Sequence, residues 1–324
     1  MNKRVFLLAA LAMTSVSVMA QSATNWPTKP VKVIVAGTAG SATDLVARTF
    51  SEPLAQVFGQ PFIMDNRAGV NGMIATDAVA KAPPDQHTLL VTYTAAHVVN
   101  PVLLPKVPYD VRKDFTPVAQ IGSGGNLLLV PPNLPVKDLQ EFIAWVRAQP
   151  AGSLSYGSWG NGSGGHLSME ALLQKTGLKM QHVPYKQVSA SLTDLGGGLL
   201  QAAFSPLVTA VPLVQSGRFK ALAVSGPYRV PQLPDVRTMT EQGVTFDLEA
   251  YFAFIAPSSM PKEIVARLNR EINRLITAPE MADRIKALGF SAMPRRSPEE
   301  FAAQIDRDLR EWGAIVKAGN IKMD

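Results

Sequence analysis

Residues 155–168 read Ser-Tyr-Gly-Ser-Trp-Gly-Asn-Gly-Ser-Gly-Gly-His-Leu-Ser, a glycine-rich turn between a short apolar run and a helical pattern. Glycines let such a backbone take positive φ and approach a ligand closely. The first N–H groups of the helix that follows have no intrahelical acceptor and carry the positive end of its dipole. A turn of this kind holds an anion without a Lys or Arg. Residues 33–48, Val-Ile-Val-Ala-Gly-Thr-Ala-Gly-Ser-Ala-Thr-Asp-Leu-Val-Ala-Arg, repeat the device early in the chain. The expected anion donors are the amides of Ala39, Gly40, Ser41, Ala42 and Thr43 and of Gly160, Asn161, Gly162 and Ser163. The hydroxyls of Ser41, Thr43, Ser158 and Ser163 support them. Two such turns, one in each half, point to a small anionic molecule held between two lobes.

Other chemistry is poorly provided for. Residues 160–165 satisfy G-x-G-x-x-G after a strand and before a helix, but the acidic residue expected about 20 positions later is missing. No Walker loop and no G-x-S-x-G elbow occurs. The four histidines, His87, His97, His166 and His182, have no metal-ligand spacing among them. His166 at a helix start is read as a hydrogen-bonding or capping residue, with a general base as the alternative. There is no cysteine, so disulfides, thiolate metal sites and a lipid-anchored start are excluded. No catalytic residue, metal or cofactor is therefore expected. Net charge is +6, or +4 without Lys3 and Arg4. The basic residues are scattered, with no basic stripe interleaved with aromatics, which argues against nucleic acid as a partner.

The elements that must position these turns follow from periodicity. Lys3 and Arg4, the apolar run 5–19 and the small residues 18–20 form an export signal with cleavage after Ala20. The run is too short for a membrane span. Val31–Val35 is a buried strand, followed by a helix with Val46, Phe50, Leu54 and Val57 on one face, capped by Ser41 and Asp44 and interrupted at Pro53. Strands at 62–64 and 89–92 around a helix at 73–80 complete a βαβαβ unit with a parallel sheet. The strands 116–121 and 127–130 flank a glycine-rich turn where the chain crosses into a second α/β lobe. That lobe contains a helix from Leu139, strands near 180–183, 201–204 and 221–224, and helices near 189–195 and 207–215. An apolar strand at 252–256 returns to the first lobe. Two amphipathic helices close the chain, one with Ile264, Leu268, Ile272 and Leu275, the last with Phe301, Ile305, Leu309, Trp312 and Val316. Both stripes are read as core. The division expected is a signal peptide at 1–20, lobe 1 at 26–122 with 252–324, and lobe 2 at 123–251.

Several blocks, in order and at matching spacing, resemble the Bug family of periplasmic solute-binding proteins, the receptors of tripartite tricarboxylate transporters. They include Trp26-Pro27-Thr28-Lys29-Pro30, Ala39-Gly40-Ser41-Ala42-Thr43-Asp44, Asp65-Asn66-Arg67-Ala68-Gly69 and Asn100-Pro101. Pro108-Tyr109-Asp110, Lys113-Asp114-Phe115, Ser158-x-Gly160-Asn161-Gly162-Ser163 and His182-Val183-Pro184-Tyr185-Lys186 follow. Leu192-Thr193-Asp194-Leu195 and the run 261–269 complete the set. The resemblance covers 26–324. It implies a two-lobe α/β flytrap with parallel-rich sheets flanked by helices, a small carboxylate ligand, membrane permease subunits as partners, a monomer and a periplasmic location. Thr38, Asp44, Thr94, His97, Trp159, His166, Tyr185 and Ser205 join the turn residues as candidate ligand-binding positions.

Three departures from the family pattern stand out. Ala36-Gly37 replaces a common Pro-Phe, Ser158-Trp159 replaces two small residues, and Phe204-Ser205 replaces Phe-Asp. The expectation is that the Trp159 indole faces the cleft and that Ser205 removes a charge that could pair with an ammonium group. Both favour a carboxylate without an amino group and with an aromatic or apolar body. Two classes of function remain at this point: a receptor that delivers a carboxylate to a permease, and an enzyme on a similar scaffold acting on an anionic substrate.

Overall fold

The computed structural model describes residues 25–246, 248–287, 290 and 294–322; the export signal and its cleavage after Ala20 lie outside them. In chain order the first elements are β1 (Val31–Val35), α1 (Ala42–Phe58), β2 (Phe62–Asn66), α2 (Met73–Ala80), β3 (Thr88–Tyr93), a π-helical turn at Ala95–Val99 running into α3 (Asn100–Leu103), and β4 (Phe115–Gly124). Next come β5 (Asn126–Val130), α4 (Leu139–Arg147), β6 (Ser155–Ser158), α5 (Gly164–Thr176), β7 (Gln181–Pro184), α6 (Val188–Gly196), β8 (Ala202–Pro206), α7 (Leu207–Gln215) and β9 (Lys220–Val224). The chain ends with β10 (Ala250–Pro257), α8 (Lys262–Leu275), α9 (Pro279–Ala287) and α10 (Pro298–Ala318).

These strands make two five-stranded sheets, ordered β2-β1-β3-β10-β4 and β7-β6-β8-β5-β9. The two-lobe expectation holds. In each sheet one strand runs against the rest: β10 is antiparallel to β3 and β4, and β5 to β8 and β9. Both are the strands by which the chain enters a sheet from the other one. The helix-linked strands deliver their C-terminal ends to the space between the sheets, so a strand that starts there must run the opposite way. The two crossing segments touch. A Cβ on Gly125 would lie 2.3 Å from the Gly226 amide nitrogen, so only glycine lets these backbones pass.

The apolar stripes read from the sequence are the faces that pack. Val46, Phe50 and Leu54 of α1 and Ile264, Leu268 and Ile272 of α8 are buried in one cluster against β1, β3 and β10. Each fully buried Leu, Ile or Phe contributes about 1.5–3 kcal/mol. Pro53, expected to kink this helix or break its hydrogen bonding, sits inside one helix that runs from Ala42 to Phe58, continuing past the bond a proline has no N–H to make. The chain then leaves at Gly59, in the left-handed region with φ 74°. In α10 Phe301, Ile305, Leu309, Trp312 and Val316 are all buried, and Ser297 and Glu300 form a reciprocal capping box. The core that includes them runs on through Phe142 and Leu172 of the second sheet's helices. Gln174 Nε2 also donates to the Ile315 carbonyl at 3.1 Å. The last helix therefore straps the back of both lobes together.

Candidate functional site

Between the sheets lies a cavity of about 550 Å³. One side comes from the second lobe's turn and helix start, Trp159, Asn161, Gly162, Ser163 and Gly164, with Asn126, Ser168 and Ser225 beside them. The opposite side is Asn71, Tyr93, Thr94 and Val99 of the first lobe, and Phe246 and Leu248 to Phe252, with Phe290 and Trp312, close the floor among the described residues. The strand ends of two α/β lobes thus enclose one site, the position where such sheets bind ligands.

The second turn is held by its own hydrogen bonds. Ser163 caps α5 by accepting from the His166 amide at 3.3 Å. The Gly162 amide donates to His166 Nδ1 at 3.1 Å, the Gly160 amide to Ser158 Oγ at 3.2 Å, and the Ser163 amide to the Gly160 carbonyl at 3.2 Å. These three amides were expected to hold the anion; in this structure they hold the turn. As the first residue of α5, Gly164 has an amide with no intrahelical acceptor, and it lines the cavity. The Trp159 indole lies against the start of α5: a Cβ on Gly165 would come within 2.4 Å of the ring. Trp159 therefore packs against its own lobe and lines the cavity as well.

His166 and His182 stack face to face, with ring centroids 3.8 Å apart. Burial, joined by the neighbouring His182, lowers the His166 pKa to about 3, and burial lowers that of His182 to about 4. Both are neutral at pH 7. His182 Nε2 lies 2.7 Å from Ser158 Oγ, which donates to the Gly160 carbonyl at 3.0 Å. The pair is the internal brace of the turn: a neutral His166 can accept from Gly162, and a charged one could not.

The first turn is exposed over residues 38–40 and does not line the cavity. The Gly40 amide donates to Asp44 Oδ2 at 2.8 Å, the Ser41 amide to the Thr38 carbonyl at 3.1 Å, and the Asp44 amide to Ser41 Oγ at 3.3 Å. Burial alone would raise the Asp44 carboxyl, but hydrogen bonds from Arg48, the Gly40 amide and Asn66 hold it below its ordinary value. Asp44 is thus the anchor of its turn. Ala42 and Thr43, the first two residues of α1, keep amides without intrahelical acceptors. A Cβ on Gly72 would meet Ala36 Cβ at 3.3 Å and the Tyr93 hydroxyl at 3.5 Å, so the strand leading into this turn ends beside the Asn71–Tyr93 rim. Asn71 sits in the left-handed region (φ 50°). It is pinned there by the Tyr93 hydroxyl at 2.9 Å and by two bonds with the Asn100 side chain.

At the floor, Glu249 Oε1 accepts from Arg296 Nη2 at 2.6 Å, and Oε2 accepts from Gln120 Nε2 at 2.7 Å. Burial would raise this carboxyl, and the Arg296 hydrogen bond and charge hold it low. Both oxygens are committed to this pair.

Of the candidate positions, Thr94, Trp159, Asn161, Gly162 and Ser163 line the cavity, and the first turn, residues 38–44, stands outside it. Thr94 works mainly as a tie, accepting from the Tyr251 amide at 2.9 Å. His97 is in the core against Phe115, with neither ring nitrogen bonded. Ser158 and His166 brace the turn, and the Tyr185 hydroxyl donates to Asp194 at 2.5 Å. Ser205 is fully buried in β8 and its Oγ has no partner. Sequence reasoning missed the Asn71–Tyr93 rim and the whole floor. Trp312 was read as core, and it is both core and cavity wall. Asn71-Gly72 carried a signal, a turn dipeptide before a helix; nothing local marks Phe246 or Phe290.

The description "Tripartite tricarboxylate transporter family receptor" belongs to the family model that matches residues 46–321. BugT of Bordetella pertussis is 31% identical over 93% of this chain and 93% of its own length. An R. palustris protein solved with adipate is 32% identical, covers 92% of this chain and 100% of its own, and has a TM-score of 0.74. MatC from Rhodopseudomonas palustris with bound malate is also 32% identical, covers 90% and 100%, and has a TM-score of 0.70. On sequence and fold together, this chain belongs to the tripartite tricarboxylate transporter receptor family, in which the Bug solute-binding proteins stand.

Proposed function

We propose that this protein is a periplasmic receptor that captures a small carboxylate in the inter-lobe cavity and hands it to the permease subunits of a tripartite transporter. The observation that carries the reading is the start of α5 forming one wall of a cavity enclosed by two lobes. The Gly164 amide, the Ser163 hydroxyl and Asn126 supply donors there, and the open amides of Ala42 and Thr43 close on the ligand from the first lobe. Two similar proteins carry dicarboxylates, adipate and malate, in their structures. Export with cleavage after Ala20, a monomeric state and lobes spanning 26–122 with 252–324 and 123–251 complete the proposal. The protein works by binding and closing, with no covalent chemistry on its ligand.

A thermal-shift screen of mono-, di- and tricarboxylates tests it, followed by recovery of the ligand after long incubation. A saturating ligand at 100 times its dissociation constant adds about 2.7 kcal/mol of stability. Stabilisation by a carboxylate that is recovered unchanged is the expected result. A chemically altered ligand would instead favour the enzyme reading, and no stabilisation by any carboxylate would remove the receptor reading.

A further inference from the structure

Asn71 and Tyr93 belong to the first lobe's side of the cavity. Asn71 lies in a turn of four successive residues with positive φ: Gly69 (123°), Val70 (46°), Asn71 (50°) and Gly72 (82°). A β-branched valine in that region carries strain, and backbone strain of this kind gathers at ligand-binding positions. The segment behind the turn is irregular too. A π-helical turn at Ala95–Val99 ends on Asn100, and such turns recur at functional sites.

Asn100 is fully buried. Its Nδ2 donates to two backbone carbonyls, those of Asn71 at 3.0 Å and Ala96 at 3.4 Å. Carbonyls only accept, so the Asn100 side-chain oxygen is the atom left to face the Asn71 side chain. Asn71 answers with Nδ2 at 2.9 Å, and its own Oδ1 takes the Tyr93 hydroxyl, also at 2.9 Å. Burial pushes the Tyr93 pKa up to about 12, so that hydroxyl keeps its proton at neutral pH. The chain of bonds thus fixes which end of the Asn71 carboxamide is nitrogen. That nitrogen carries a second hydrogen, on an exposed residue of the cavity wall.

We propose that Asn71 is a ligand contact of the first lobe, donating its second Nδ2 hydrogen to an oxygen at the end of the ligand remote from the carboxylate held at α5. Tyr93 and Asn100 are its positioning residues. This rests on the receptor reading above and deepens it: the ligand is a carboxylate that carries a second acceptor oxygen, as a hydroxyl or as another carboxylate. A site built to bond an oxygen discriminates against the analogue lacking it, because the donor is then left unpaired. The bonds that hold the strained turn keep the donor in place beforehand, so little ordering is left for binding to do.

Calorimetric titration with two length-matched series tests this: butyrate, 4-hydroxybutyrate and succinate, then hexanoate, 6-hydroxyhexanoate and adipate. Two lengths are used because the lobes set the span only on closing. In at least one series the tighter of the two oxygen-bearing acids is expected to bind about tenfold or more tightly than the plain acid. Asn71→Gly keeps the positive φ and lacks the carboxamide. It is expected to bring that ratio to within about twofold of one, while the plain acid binds as before. Tyr93→Phe, which leaves the Asn71 oxygen unpaired, is expected to lower the ratio about threefold or more. A purely structural role for the turn would weaken all three acids alike and leave the ratio unchanged. A parent ratio near one in both series overturns the inference and leaves the receptor reading standing. So does a ratio that survives in Asn71→Gly, or in Tyr93→Phe if circular dichroism shows the glycine variant unfolded. No binding of any of these acids also overturns it, and the wider carboxylate screen decides the receptor reading separately.

Discussion

Replacing Asp308 with Asn should make the protein more stable at neutral pH, by an amount that grows with pH. Asp308 is 1% exposed, on the inner face of α10 beneath the cavity floor. Burial pushes its pKa from 3.8 to about 7; the Gln304 amide at 2.7 Å opposes this, Glu249 and Glu311 reinforce it, and Arg296 opposes it. Between those two values the native carboxyl keeps a proton that the unfolded one has lost. Stability from this group is therefore full below pH 3.8, falls as pH rises to about 7, and is level beyond. The displacement corresponds to about 4 kcal/mol. Partial hydration of the native site would reduce this to about 2 kcal/mol. Asparagine keeps the acceptor for Gln304 and cannot ionise. Urea denaturation of both proteins from pH 4 to 8 is the assay. His97, His166 and His182 titrate over part of the same interval, but they are common to both proteins, so the difference isolates Asp308. The difference should rise from near zero at pH 4 to about 2–4 kcal/mol at pH 7.5. A flat difference, or a variant less stable than the parent at pH 7.5, would refute the assignment.

His97 should behave in the opposite sense. Burial lowers its pKa from 6.5 to about 4, so the unfolded state takes a proton first and stability is lost as pH falls from 6.5 to 4, by about 3 kcal/mol. His97→Leu should gain on the parent progressively over that interval, and a pH-independent difference in denaturation midpoint would contradict it. Lobe closure should accompany binding, since the first turn lies outside the cavity wall and must move to reach a ligand held at α5. Small-angle scattering should record a smaller radius of gyration with a saturating carboxylate, and superimposable profiles would count against it.

Local chemistry made much of the architecture legible. Helices α2 and α7 lie where periodicity places them, at Met73–Ala80 and Leu207–Gln215. The caps at Ser41, Ser163 and Ser297 are bonds between residues three apart, set before any tertiary contact forms. The entry strands were harder. The 252–256 run was recognised as a strand returning to the first lobe, but not that it runs antiparallel between β3 and β4, because that pairing joins residues more than 120 apart.

Spacing and local chemistry suffice to read most strands and helices, the two glycine turns that open helices, and the family the chain resembles. Each of these follows from spacing within one turn of backbone or from blocks read in order. Which amides the turns keep for themselves depends on partners that only the folded chain brings together. Gly162 donates to His166 because the imidazole is buried and neutral, and the stacked His182 that helps to keep it so stands 16 residues further on. The floor of the site was likewise beyond local reading. Trp312 meets Phe246 and Arg296 meets Glu249 across long stretches of chain. Burial against distant partners sets a side chain's role there, and no window of sequence contains it.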